Sequence, residues 1–139
     1  MTPIILAALL SFPIPPLGAT MGTTPYHAPI PNAATRTELP ATGLATYYAP
    51  GVFQRVLATR GISPDACPDC DGFAAMLWPA DLGRIVCIEG LRLLVVDVAA
   101  SHHRQALIER DWVADIDPDA WDALGWPNAP VLTTVTSCK

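Results

Sequence analysis

Hydrophobic and polar positions alternate in short stretches along the last two thirds of this chain, and most stretches stop at a turn-forming residue. In Gly43-Leu-Ala-Thr-Tyr-Tyr48, residues Leu44, Thr46 and Tyr48 fall on one face of an extended strand and Ala45 and Tyr47 on the other. Pro50-Gly51 ends it by turn chemistry. A loop-rich region follows, then a short apolar segment from Phe73 to Leu77. Arg84 to Ile88 reads as the next strand, and Glu89-Gly90 as a tight turn into Leu91 to Val98. Leu93 to Val96 is continuously apolar, the pattern of a strand covered on both faces. Ser101 to Asp111 is polar enough to expect no more than a helical turn, and Trp112-Val-Ala-Asp115 reads as a further strand.

The clearest helix signal lies at Asp117-Pro-Asp-Ala-Trp-Asp-Ala-Leu-Gly125. Asp117 can cap it, Pro118 suits the first helical position, Ala120, Trp121 and Leu124 make one face, and Gly125 closes it. Val131, Thr133 and Val135 then alternate as a last strand. Six short strands with one or two short helices predict a mainly β fold, a small β-barrel, and no internal sequence repeat is visible.

Two of the apolar strands run into an aspartate, Asp97 and Asp115. A carboxylate at the end of a buried strand is costly unless it is paired, hydrogen-bonded or used, so both are candidate site residues. For Asp115 there is a plain structural alternative, an aspartate just before a helix and tied to backbone amides.

Composition narrows the partners. The chain has 139 residues and a formal net charge of −5. Every acidic residue except Glu38 lies between Asp65 and Asp122, and the only lysine is Lys139. No basic patch exists to neutralise phosphates, so nucleic acid is excluded as an expected partner. Such a balance suits neutral or amine-bearing ligands, or carbohydrate.

The first residues, Met-Thr-Pro-Ile-Ile-Leu-Ala-Ala-Leu-Leu, form an apolar run of signal-peptide length that is too short to span a bilayer. Residues 1–20 are therefore expected to be a signal peptide and residues 21–42, rich in Pro, Thr and Ala, an extended linker. Residues 43–139 remain as the folded domain. Secretion to the exterior or the cell envelope, with no stable membrane span after signal removal, is the expected localisation. Four cysteines, Cys67, Cys70, Cys87 and Cys138, agree with an oxidising compartment.

The order of elements resembles the rare lipoprotein A family. Gly43-Leu-Ala-Thr-Tyr-Tyr48 is similar to its opening Gly-x-Ala-Ser-Trp-Tyr strand, and Leu82-Gly-Arg-Ile-Val86 to its Leu/Phe-Gly-Thr-x-Val strand. Val95-Val-Asp97 resembles the strand that ends in the family's Asn-Asp-Arg-Gly-Pro. Val113-Ala-Asp-Ile-Asp-Pro-Asp-Ala-Trp-Asp-Ala-Leu-Gly125 resembles the Ile-Asp-Leu-Ser segment with its helix. This resemblance implies a six-stranded double-psi β-barrel, shared with barwin and the N-terminal domain of expansins. It implies an exported cell-wall protein whose partner is peptidoglycan or another glycan and whose chemistry needs no cofactor or metal.

Some members of that family are lytic transglycosylases. By resemblance, Asp97 holds the acid/base position, which demands a carboxyl group of raised pKa such as an apolar approach strand can supply. Asp115, His102 and Tyr48 are then the expected substrate-binding groups around it, with Tyr47, Trp78 and Trp112 as further aromatic candidates. The chain departs from the family pattern after the aspartate, where Val98-Ala-Ala-Ser-His-His-Arg104 replaces Arg-Gly-Pro. It also lacks the Thr-Ala-Asn-Gly-Glu-x-Tyr-Asp stretch. The alternative is a non-catalytic binding or structural domain of the same fold, in an envelope or phage assembly.

Four cysteines allow three pairings, and only the resemblance selects one: Cys87 with Cys138, as in barwin-like relatives, which leaves Cys67 with Cys70. The competing readings of Cys67-Pro-Asp-Cys70 are zinc binding and thiol redox. Zinc would want a second close pair of ligands, and redox a βαβ context, and neither is present.

Overall fold

The computed structural model describes residues 35–138, so the expected signal peptide and most of the expected linker lie outside the described residues. Strands β1 (Ala41–Tyr47), β2 (Gly72–Met76), β3 (Ile85–Ile88), β4 (Leu91–Val98), β5 (Trp112–Ile116) and β6 (Val131–Ser137) close into a barrel in the order β1-β5-β2-β4-β3-β6. Helices α1 (Val52–Arg60), α2 (Ser101–Glu109) and α3 (Pro118–Ala123) fill three connections. The fold is the mainly β, six-stranded barrel expected from the strand pattern, with three helices in place of one or two.

The pairing has an internal two-fold relation that no sequence repeat announces. Replacing β1, β2 and β3 by β4, β5 and β6, and the reverse, reproduces every neighbour in the ring. The parallel pair β1/β5 maps onto the parallel pair β4/β2, and the other four pairings are antiparallel. The first helix of each half, α1 after β1 and α2 after β4, occupies the equivalent connection. α1 joins β1 to β2 and α2 joins β4 to β5, and in each case one other strand stands between the joined strands in the ring.

Side-chain alternation sorts the apolar residues into two layers. Tyr47, Met76, Ile88, Leu93, Ile116 and Val135, one from each strand, belong to a single buried cluster that fills the barrel. The second cluster lies outside it, where Tyr48, Ala75, Val96 and Trp112 pack against Phe53 and Leu57 of α1 and Leu107 of α2. Burying one such large side chain contributes roughly 2 kcal/mol. Leu93, Val95 and Val96 are at most 1% exposed, while Leu94 between them is only partly buried, so the outer face of the strand is covered in part.

Two elements differ from the sequence reading. The region after Pro50-Gly51 is not all loop: Val52, Phe53, Val56 and Leu57 are the buried stripe of α1, an i, i+1, i+4, i+5 pattern that fits a helix. Gly51 and Gly61 bracket it in left-handed conformations. Ser101–Glu109 form the nine-residue α2, which buries only Leu107 and so offers almost no apolar period to read. Glu89 and Gly90 both have positive φ, as the tight turn between β3 and β4 requires. Asp117 caps α3 by accepting from the Asp119 amide at 3.0 Å.

The ordered domain also starts earlier than residue 43. β1 begins at Ala41, and Thr37 is tied to the turn at Pro79–Asp81. The buried Asp81 carboxylate accepts from the Thr37 amide and hydroxyl, the Trp78 amide and Arg84 at 2.7–3.0 Å. With both oxygens engaged it serves as a structural clamp. Both disulfides, Cys67–Cys70 and Cys87–Cys138, are formed. The second joins β3 to the end of β6, across a sequence separation of 51.

Candidate functional site

A bulge aims Asp97. Leu93 and Val95 point into the barrel and Leu94 and Val96 out of it, so strict alternation would turn Asp97 inward. Opposite β2, however, Ala74 pairs with Val95 and Ala75 with Asp97, which leaves Val96 as an extra residue. The slip returns Asp97 to the outer face, beneath α1. Asp115 pairs with Ala75 from the other side, and Thr46 pairs with Asp115. One row, Thr46–Asp115–Ala75–Asp97, therefore crosses four adjacent strands, with the two aspartates roughly 10 Å apart at Cα, two strand spacings.

Asp97 is 2% exposed and fully engaged. Its Oδ2 accepts from the Tyr48 hydroxyl at 2.8 Å, and its Oδ1 from Arg60 Nη2 at 2.7 Å. Arg60, at the last turn of α1, keeps 35% of its side chain exposed and so forms the lid over a buried carboxylate. Burial, with the Asp97 charge second, pushes the Tyr48 hydroxyl far above its ordinary pKa, so it stays a neutral donor.

Asp115 has a different environment. It is 0% exposed, its Oδ1 accepts from the Thr46 hydroxyl at 2.7 Å, and its Oδ2 has no hydrogen-bond partner. Thr46 in turn accepts from the Trp112 indole N–H at 2.9 Å, so its own proton is directed to Asp115. Burial raises the Asp115 pKa to about 8, the Thr46 hydrogen bond opposes this, and the Asp97 charge adds to it. At neutral pH Asp115 holds its proton in the folded protein. Asp115, two positions along the row from Asp97, is thus a carboxyl raised by burial.

Beside this cluster lies an open groove of about 400 Å³, within the size range of ligand sites. Arg60 and Ile62 form one wall, Leu82 and Gly83 the other, and Leu94–Val96 the floor. Its lining is apolar except at Arg60, and Asp97 lies just beyond that guanidinium.

The remaining candidates fall elsewhere. Tyr48 is 0% exposed and stacks on Phe53 at 4.3 Å, so its ring offers no face to a ligand: it holds Asp97 instead. Asp115 likewise has no surface through which to touch substrate. His102 is exposed in the first turn of α2 with its ring against His103 at 3.9 Å, and no hydrogen bond links it to Asp97. Tyr47 and Trp112 are core residues, and Trp78 lies under the Arg104 guanidinium at 4.6 Å. Cys67 and Cys70 are bonded to each other, which removes them as thiolate ligands. Among the described residues no cluster of three potential metal ligands occurs.

Arg60, Thr46 and the Trp112 indole N–H were not expected in this site. The apolar stripe of α1 ending in Arg60-Gly61 is the signal that would have placed Arg60. Comparisons with protein-family models, curated proteins and solved structures yield no match.

Proposed function

We propose that this chain is an exported glycan-binding module of the cell wall, with the Arg60 groove as its binding surface and peptidoglycan strands as its ligand. The observation that carries this reading is the open groove whose apolar floor leads to a single guanidinium backed by a buried carboxylate. A pyranose ring presents C–H faces to such a floor and polar groups to its rim. The two disulfides, and the order of sequence motifs that resembles the rare lipoprotein A family, support an envelope setting.

Binding is favoured over cutting because both oxygens of Asp97 are occupied and Arg60 stands between it and the groove. Pull-down of the full chain on stem-peptide-free peptidoglycan strands tests the reading. Retention on the strands is expected, and passage without retention would overturn it.

A second reading, lytic transglycosylation with Asp97 as acid/base, is favoured by one observation. Asp97 has a neighbouring carboxyl whose environment drives its protonation apart from an ordinary aspartate, the arrangement that lets two like groups take two roles. Mass spectrometry for anhydro-sugar products decides it: release by the natural chain and not by Asp97→Asn supports catalysis, and absence of products with retained binding leaves the binder.

A further inference from the structure

We propose that the Arg60 groove is filled from within the chain, by the segment Pro29-Ile-Pro31 ahead of the barrel, with the Ile30 side chain on the apolar floor. The inference goes beyond the glycan reading, because this contact needs no sugar; where a sugar does bind, the segment is what it displaces.

The first observation is where the described chain begins. Thr37 donates its amide and its hydroxyl to the two Asp81 oxygens at 2.9 and 2.7 Å, and its carbonyl accepts from Arg84 Nη1 at 2.7 Å. Asp81 and Arg84 stand on either side of Leu82-Gly83, the second wall of the groove. Thr35, Thr37 and Leu39 are half-buried while Arg36, Glu38 and Pro40 are exposed, so this stretch lies along the body of the domain with one side covered. The residues before Thr35 are therefore delivered at the edge of the groove. Ile30 stands seven positions before Thr37, a reach of about 22 Å at polyproline spacing. The floor, Leu94–Val96, needs only about 7 Å of chain to cover it.

The second observation is chemical. Leu82, on the groove wall, is among the most exposed large apolar side chains of the described residues, and an aliphatic side chain laid between it, Ile62 and Leu94 would remove all of them from water. Residues 1–35 contain no Asp, Glu, Lys or Arg, so nothing in the segment repels the Arg60 guanidinium or draws it off Asp97. Pro29 and Pro31 bias Ala28 and Ile30 toward extended backbone, whose carbonyls have no partner of their own. Arg60 meets Asp97 through Nη2 and keeps 35% of its side chain exposed, and a guanidinium has further donors for such a carbonyl. Prolines leave the segment little freedom to lose, and its short tether gives it a high effective concentration at the groove.

The test is nuclear magnetic resonance of the full chain with labelled Ile, Leu and Val methyls. Nuclear Overhauser cross-peaks from the Ile30 methyl to the Leu82 and Leu94 methyls are expected. Ile30→Ser should lose the contact and shift the Leu82 and Leu94 resonances, with those of Ile88 and Val135 inside the barrel unmoved. A synthetic peptide of residues 24–34, added in excess to that variant, should return the shifted resonances toward their natural positions.

Absence of the Ile30 cross-peaks in a chain whose barrel cross-peaks are intact would overturn the inference. Leu82 and Leu94 resonances indifferent to Ile30→Ser would overturn it as well. So would the same cross-peaks in a mixture of Ile-labelled and Leu-labelled protein, since a second copy would then be the occupant. The pull-down on peptidoglycan strands keeps the two readings apart. Cross-peaks without retention leave this inference standing and remove the glycan reading, and retention without cross-peaks does the reverse.

Discussion

Asp97 and Asp115 stand on either side of Ala75 in one row of the barrel wall, one paired with a guanidinium and the other, among the described residues, with no cation. Their difference has a direct thermodynamic consequence. The folded pKa of Asp115 lies near 8, above the usual carboxylate range of the unfolded chain. Between those two values the folded state binds more protons than the unfolded one, so stability falls as pH rises through that window.

Asp115→Asn removes this titration while keeping an acceptor for the Thr46 hydroxyl. Chemical denaturation at several pH values between 4 and 9 should show the natural chain losing stability across the window, on the order of 5 kcal/mol in total from this one group. The Asn variant should show a much flatter profile and be the more stable protein at the alkaline end. Parallel profiles for the two proteins would mean that Asp115 ionises freely in the fold.

Arg60→Met leaves the Asp97 carboxylate buried with only the Tyr48 hydroxyl. Removing one partner of a fully buried pair costs about 3–5 kcal/mol, but the exposed side of Arg60 is screened by solvent, so about 2 kcal/mol is expected here. Tyr48→Phe should cost about 1–2 kcal/mol by leaving Oδ2 unpaired. Because both changes act on one carboxylate, urea denaturation of the double variant should deviate from the sum of the singles.

The strand pattern was enough to read the barrel, since each of β3 to β6 carries its own periodicity and turn residues. Asp97 was legible as a site residue because a charged group ends an apolar run. Tyr48 and Asp115 were legible beside it but as substrate-binding groups, and Arg60 was not legible, because their roles depend on register and a bulge that local sequence does not encode. Without the bulge at Val96, strict alternation along the same residues would have put the carboxylate inside the barrel. Tyr48 shows the opposite error: an aromatic at a strand end looked like a sugar platform, and its position beneath α1 makes it a buried donor. Helix α2 was missed for a simpler reason, that one buried leucine makes no stripe.

The two disulfides should differ in worth. In the chain-entropy model, Cys87–Cys138 closes a long loop and contributes about 4 kcal/mol, while Cys67–Cys70 closes a very short one and contributes about 2. Thermal melts of the paired Ser variants should show the larger loss for Cys87→Ser/Cys138→Ser, which also unties β6 from β3. Full reduction should lower stability by no less than that variant does.

Gly43 is where two backbones touch. In β1 its neighbour Leu44 donates its amide to the Asp111 carbonyl at 2.7 Å, at the entry to β5. A Cβ built on Gly43 would stand 2.2 Å from that same oxygen and 3.2 Å from the Val113 Cβ. Neither can yield without a backbone shift, because Asp111 already sits at positive φ and Val113 is packed in the barrel. Gly43→Ala should therefore destabilise by about 1–3 kcal/mol, the cost of overpacking a well-packed site, although alanine is otherwise the milder residue in a strand. The displaced pair is β1/β5, which carries Thr46 and Asp115, so the same substitution should loosen the Thr46–Asp115 hydrogen bond. Hydrogen exchange at the β1 and β5 amides, faster in Gly43→Ala than at the distant β3/β4 hairpin, is the expected signature. Uniform acceleration throughout the barrel would instead mark global loss of stability with no local cause.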